Sequence, residues 1–137
     1  MYNKYMKEAI KMAYKAYSNG DIPVGCVIVH DGKIIAKTYN KKEMLHDPIM
    51  HAEIIAISNA AKALKSWRLN ECELYVTLEP CDMCKGAIVE ARIDKVFYLL
   101  DSEYHKLNNV KINDFYTKLP DIYNYREVMG NFFKDKR

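Results

Sequence analysis

The sequence predicts an α/β fold, a three-layer α/β/α sandwich around a mixed central sheet, in one domain spanning 1–137. Three observations carry that expectation. Apolar residues recur with helix and strand periods in the order αββαβαβ as far as Leu100. An Asp-Gly pair joins the first two strands as a hairpin. The later strands stand singly between helices, which calls for crossover connections and a sheet covered on both faces. A chain of 137 residues is long enough to bury one core without disulfides.

Tyr5, Ala9, Met12, Ala13 and Ala16 share one face of an amphipathic helix, with lysines between them, and Ser18-Asn19-Gly20 ends it. Val24 to Val29 is a β-branched run, His30-Asp31-Gly32-Lys33 turns, and Lys33 to Tyr39 returns as the second strand. The segment from Asn40 to Pro48 is polar. After Pro48 a helix runs through Ile54, Ile55, Ile57, Ala60, Ala61 and Leu64, with His51 and Glu53 at its mouth. Leu74 to Leu78 is a strand ended by Pro80. A helix beginning near Cys81 then carries Ala87, Ile88 and Ala91 on one side, and Lys95 to Leu100 is a strand apolar enough for burial on both faces. Beyond Asp101 we expect a short helix over Asn113 to Leu119, broken by Pro120, and a terminal helix over Tyr125 to Phe133. Ile122 to Tyr125 is the nearest candidate for a fifth strand. There is no internal repeat, low-complexity run or linker.

A net charge of +3 permits a polyanionic partner and equally suits an enzyme of small molecules. Charged residues interrupt the apolar residues of the amino terminus, and no later segment is long enough to span a bilayer, so we expect a soluble, cytoplasmic protein. In a reducing compartment four cysteines are no disulfide framework. Cys81 and Cys84 are a metal or redox pair, Cys26 and Cys72 buried thiols. His30 and His46 read as turn residues, His105 as a surface residue, and Trp67 and the methionines as core.

Two cysteines three apart behind Pro80, with His51 and Glu53 upstream, supply three ligands suited to zinc and one carboxylate. Three protein ligands leave a tetrahedral ion one position for water, the arrangement of a catalytic site and not of a closed structural one. Residues two apart diverge within a regular helix, so His51 and Glu53 converge only from an irregular first turn. Cys81 and Cys84 open a helix whose positive end favours thiolates. Glu53 is then an acid/base group that leaves the metal uncapped. A C-x-x-C pair by itself is more often a structural zinc knuckle or redox pair, and it is His51-Ala52-Glu53 beside it that points to catalysis.

His51-Ala52-Glu53 followed by Pro80-Cys81-Asp82-Met83-Cys84 resembles the signature of the zinc-dependent cytidine and adenosine deaminases. Asp21-Ile22-Pro23-Val24-Gly25, Asn40, His46-Asp47-Pro48 and Tyr75-Val76-Thr77-Leu78-Glu79-Pro80 look like the bacterial tRNA-specific adenosine deaminases of the wobble position, a similarity covering Met1 to about Asp101. The resemblance implies a cytidine deaminase-like fold, one zinc per chain on His51, Cys81 and Cys84, and hydrolytic deamination of adenosine to inosine with Glu53 as proton shuttle. It also implies substrate contacts from Asn40, Val24, Ala52, Asp82 and Asp101, a homodimer, and a tRNA anticodon stem-loop as partner, with no membrane. The family commonly continues after Asp101 with a lysine and a Gly/Ala run, where this chain has Ser102-Glu103-Tyr104-His105-Lys106-Leu107-Asn108-Asn109.

Two other functions stay open. One is deamination of a free base, nucleoside or nucleotide such as guanine, cytosine or dCMP at the same zinc site, favoured by the altered segment after Asp101. The other is a zinc-stabilised RNA-binding module without catalysis, against which Glu53 argues. The aromatic and basic residues of the carboxyl end, from Tyr116 through Tyr123, Tyr125, Arg126, Phe132 and Phe133 to Lys134, Lys136 and Arg137, fit either a stacking and phosphate-contact surface or a packed helix with a solvated tail.

Overall fold

A pair of left-handed backbone angles, φ 51° at Asp31 and 72° at Gly32, makes the expected two-residue hairpin turn and pairs His30 with Lys33. The structure, a computed structural model, describes residues 3–102 and 115–135. His105, Lys136, Arg137 and the divergent stretch after Ser102 lie outside the described residues. The elements are α1 (Lys4–Ser18), β1 (Gly25–His30), β2 (Lys33–Tyr39), α2 (Ala52–Leu64), β3 (Cys72–Leu78), α3 (Asp82–Glu90), β4 (Lys95–Leu100), β5 (Tyr116–Lys118) and α4 (Tyr125–Asp135). The sheet order is β2-β1-β3-β4-β5. β1 lies antiparallel to β2 and β3, and β4 parallel to β3 and β5, so the sheet is mixed as expected.

Side chains two apart in a strand share a face, and that period separates two cores. Cys26 and Ile28 of β1, Leu74 and Val76 of β3, and Val96 and Tyr98 of β4 pack with Ala52, Ala56, Ala60 and Ile88 from α2 and α3. Val27 and Val29, Tyr75 and Leu99 face the other way, onto Met6, Ala9, Ile10 and Ala13 of α1 and Tyr125 and Met129 of α4. Helices therefore cover both faces. α1 rests on the β1 backbone itself: a Cβ on Gly25 would stand 2.6 Å from the Ala13 nitrogen and 2.8 Å from the Met12 Cβ. The small Ala9, Ala13 and Ala16 give α1 the flat stripe this approach requires.

Three expectations need correction. Residues 116–118 are a strand and not part of a helix, because Tyr116, Thr117 and Lys118 find ladder partners in Val96, Phe97 and Tyr98. A ready strand edge outweighs local helix preference. Ile122 to Tyr125 is correspondingly no strand: Asn124 is left-handed at φ 57°, and the Asp121 carboxylate accepts hydrogen bonds from the Tyr125 and Arg126 backbone N–H groups, starting α4. Trp67 is no core residue. It is 58% exposed in the loop after α2, beneath the guanidinium groups of Arg68 and Arg92 at 4.9 and 5.5 Å. Met6, Met12 and Met129 are buried as expected, whereas Met44 and Met83 are exposed. Cys26 and Cys72 are both buried free thiols.

Candidate active site

His51 and Cys81 occupy equivalent places in the fold, each the residue that caps the first turn of a helix. Both have extended backbone, φ −74° and ψ 151° for His51 of α2, φ −70° and ψ 172° for Cys81 of α3, and neither side chain caps its own helix. The side chains turn toward each other instead. His51 Nδ1 stands 3.6 Å from Cys81 Sγ and 3.6 Å from Cys84 Sγ, and one donor atom from each of the three residues lies within 4.8 Å of the other two. In a tetrahedral zinc site with ordinary bond lengths the nitrogen and sulfur ligands stand roughly 3.5 Å apart, so this donor set fits that ion with little rearrangement. The three residues share a metal-sized cluster, as the sequence leads one to expect.

The Cys84 thiol donates to the Cys81 sulfur, which holds Cys81 down at about 4 with His51 adding to the effect, while the same bond and burial push Cys84 strongly up. The Cys81 contact also raises His51 against the opposing effect of burial. A metal taken up here must displace those protons.

Glu53, 3% exposed in the first turn of α2, faces the same cavity as His51 and Cys81. Burial pushes its carboxyl up to about 7, into the range where a group both takes and gives protons at neutral pH. A cation beside it would draw that value down. The position of this turn is set by β2 and the residue that follows it: Thr38 Oγ1 donates to the Ala52 carbonyl at 2.7 Å, and Asn40 Oδ1 accepts from the Ala52 N–H at 2.8 Å.

The cavity measures about 160 Å³. Ile22, Val24, Leu78, Met129 and Phe133 give it apolar walls, and Asn40, Lys42, Glu79 and Ser102 add polar groups beside His51, Glu53 and Cys81. Of the expected substrate contacts, Asn40 and Val24 line it; Ala52, Asp82 and Asp101 do not. Asp82 is buried and turned toward Lys85, and Asp101 pairs with Lys118 at 2.9 Å at the surface. Sequence reasoning missed the part played by α4. Met129 and Phe133 stand one helical turn apart and close the cavity, although more than seventy residues separate them from Glu53. It also missed Asp21, a fully buried carboxylate that accepts from the Glu43 N–H at 2.9 Å and so ties the loop before His51 to the start of β1. A carboxylate directly after the helix-ending Gly20 was the available signal.

Comparison with known proteins agrees with this geometry. Residues 1–100 match the family model described as the cytidine and deoxycytidylate deaminase zinc-binding region. The chain is 52% identical over 94 residues to a tRNA-specific adenosine deaminase of Bacillus subtilis, a match covering 69% of this chain and 58% of the relative's length. The chain thus spans less than two thirds of that relative. Among solved structures it is similar to one from a study of A-to-I editing by tRNA:A34 deaminases at the wobble position of transfer RNA, with a TM-score of 0.73 and 35% identity, over 85% of this chain and 92% of that one. It is also similar to a guanine deaminase from Bacillus subtilis, with a TM-score of 0.69 and 30% identity, over 96% of this chain and 95% of that one.

Proposed function

The chain belongs to the cytidine and deoxycytidylate deaminase zinc-binding family, and from that premise we propose that it is a zinc-dependent aminohydrolase converting adenosine to inosine at the wobble position of a tRNA anticodon loop. One observation carries the chemistry: His51, Cys81 and Cys84 form one cluster of metal donors, and two of them, His51 and Cys81, line a cavity together with the buried Glu53 carboxylate. The substrate reading is supported by the names of the relatives at about half identity.

His51 through Nδ1, Cys81 and Cys84 would hold the zinc. Bound there, it would supply the Lewis acidity that makes water a nucleophile near neutral pH. Glu53 takes one proton from the attacking water and delivers it to the ring nitrogen, then takes the second from the hydroxyl now on the ring carbon and delivers it to the amine, which leaves as ammonia as the carbonyl forms. Its buried position keeps bulk water from competing for that proton. Asn40, its oxygen committed to Ala52 N–H, presents its amide N–H₂ to the base, and Val24 packs on the ring. Asp101, at the surface, is assigned to the flanking nucleotide; Asp82 is assigned no substrate contact. A flipped loop base suits such a site because it costs little to unstack.

We further propose a single domain, acting in the cytoplasm as a homodimer on the anticodon stem-loop. The free cysteines among the described residues fit a reducing compartment. A second reading, deamination of free guanine, is favoured by the guanine deaminase likeness over 96% of this chain. Purified protein assayed for inosine in unmodified tRNA, beside free guanine, cytosine and dCMP, separates the two. Inosine formation supports the tRNA reading; turnover of a small molecule with tRNA untouched refutes it and leaves the zinc chemistry standing.

A further inference from the structure

Behind the two cysteines lies a buried charge cluster that the chemistry above leaves unused. Lys85 follows Cys84 on α3, yet its side chain is only 5% exposed. Its Nζ stands 3.2 Å from Glu79 Oε2 and 3.9 Å from Asp82 Oδ1, an ion pair with a hydrogen bond on the first side and a longer contact on the second. Both carboxylates are also buried, and Asp82 Oδ2 has no hydrogen-bond partner among the described residues. Desolvating three charges is expensive and is offset only where the partners are held tightly. A lysine on a two-turn helix could reach solvent; here it is kept inside.

The cluster is wired to the metal cluster and to the cavity wall. The Lys85 backbone N–H bonds the Cys81 carbonyl at 2.8 Å, closing the turn that carries both sulfurs. Glu79 Oε1 accepts from the Ser102 N–H at 3.0 Å, and the Glu79 N–H bonds the Leu100 carbonyl at 2.8 Å. One ammonium and one carboxylate therefore join the start of α3 to the ends of β3 and β4, and Glu79 and Ser102 themselves line the cavity.

We propose that Lys85 is a positioning residue of the metal centre, fixing the first turn of α3, and with it the spacing of the Cys81 and Cys84 sulfurs, against the ends of β3 and β4. The inference rests on the reading of His51, Cys81 and Cys84 as metal ligands. Lys85→Met keeps the aliphatic volume and removes the clamp, but leaves Glu79 and Asp82 uncompensated. A neutral triple variant, Glu79→Gln with Asp82→Asn and Lys85→Met, removes the clamp with no buried charge left behind, the exchange that proteins tolerate best.

Both variants and the parent are loaded with cobalt(II), and the thiolate absorption bands and the affinity against a competing chelator are read beside thermal unfolding. We expect the parent to bind one cobalt per chain, and both variants to show shifted bands and an affinity about tenfold or more lower, the usual consequence of loosening groups that orient metal ligands. If Lys85→Met does not fold, the triple variant decides. Parental bands and affinity in either folded variant would overturn the proposal, leaving Lys85 a stability residue only. Failure of the parent to bind cobalt would refute the metal reading instead, so the two failures are distinguishable.

Discussion

Replacing Glu53 by Gln separates chemistry from stability, because the structure expects the two to move in opposite directions. The substitution preserves shape and leaves His51, Cys81 and Cys84 untouched, so metal content is retained. Turnover of the metallated variant falls by roughly 10² to 10⁴, the usual weight of a general acid/base group, and by more if one carboxylate serves both proton transfers. Stability of the metal-stripped protein rises. Burial moves the Glu53 carboxyl from its ordinary 4.5 to about 7, so between those values the unfolded chain is ionised while the folded chain still holds the proton. The wild type accordingly loses stability as pH rises through that window, and above about 7 the full loss is on the order of 3 kcal/mol. Gln does not titrate and escapes it. Urea unfolding of metal-free protein should show little advantage for the variant at pH 4 and a clear one at pH 8, shrinking when metal returns and stabilises the carboxylate. Turnover within tenfold of wild type in a fully metallated variant would refute the shuttle assignment. An unchanged urea midpoint at pH 8 would refute the burial argument.

Three further outcomes are expected. Cys84→Ser should strip most of the zinc, measured by metal analysis of purified protein, since it removes one of three ligands; full retention with unchanged activity would be incompatible with the site. Gly25→Ala should destabilise by about 1–3 kcal/mol or more in denaturant unfolding, because the new methyl meets the α1 backbone at Ala13, which cannot yield as a side chain can. Removing residues 134–137, which begin directly after the cavity residue Phe133, should raise the apparent KM for a tRNA stem-loop and flatten its salt dependence at nearly constant saturated turnover; an unchanged KM and salt slope would mark the tail as solvated surface.

Local signals in the sequence were enough to place the helices and strands of the first hundred residues. The Asp31-Gly32 turn, the period-two strands and the apolar stripes of α1 and α2 depend on neighbours in the chain, and so does the placing of His51 and Cys81 at helix openings with Cys84 in the first turn, whereas the meeting of these donors depends on how α2 and α3 are seated on the sheet. What depends on distant partners was not legible. β5 exists because β4 offers an open edge to Tyr116 through Lys118, a pairing that three residues cannot announce by themselves. Trp67 looks like core by composition, but its place in a loop after the α2 stripe has ended leaves it outside. Only the packing of α4 across the mouth of the sheet, pinned where the Tyr125 hydroxyl donates to the Pro23 carbonyl at 2.7 Å, brings Met129 and Phe133 to Glu53. Only the burial of Lys85 turns Asp82 away from the cavity, because an ammonium taken out of water draws the nearest carboxylates to itself.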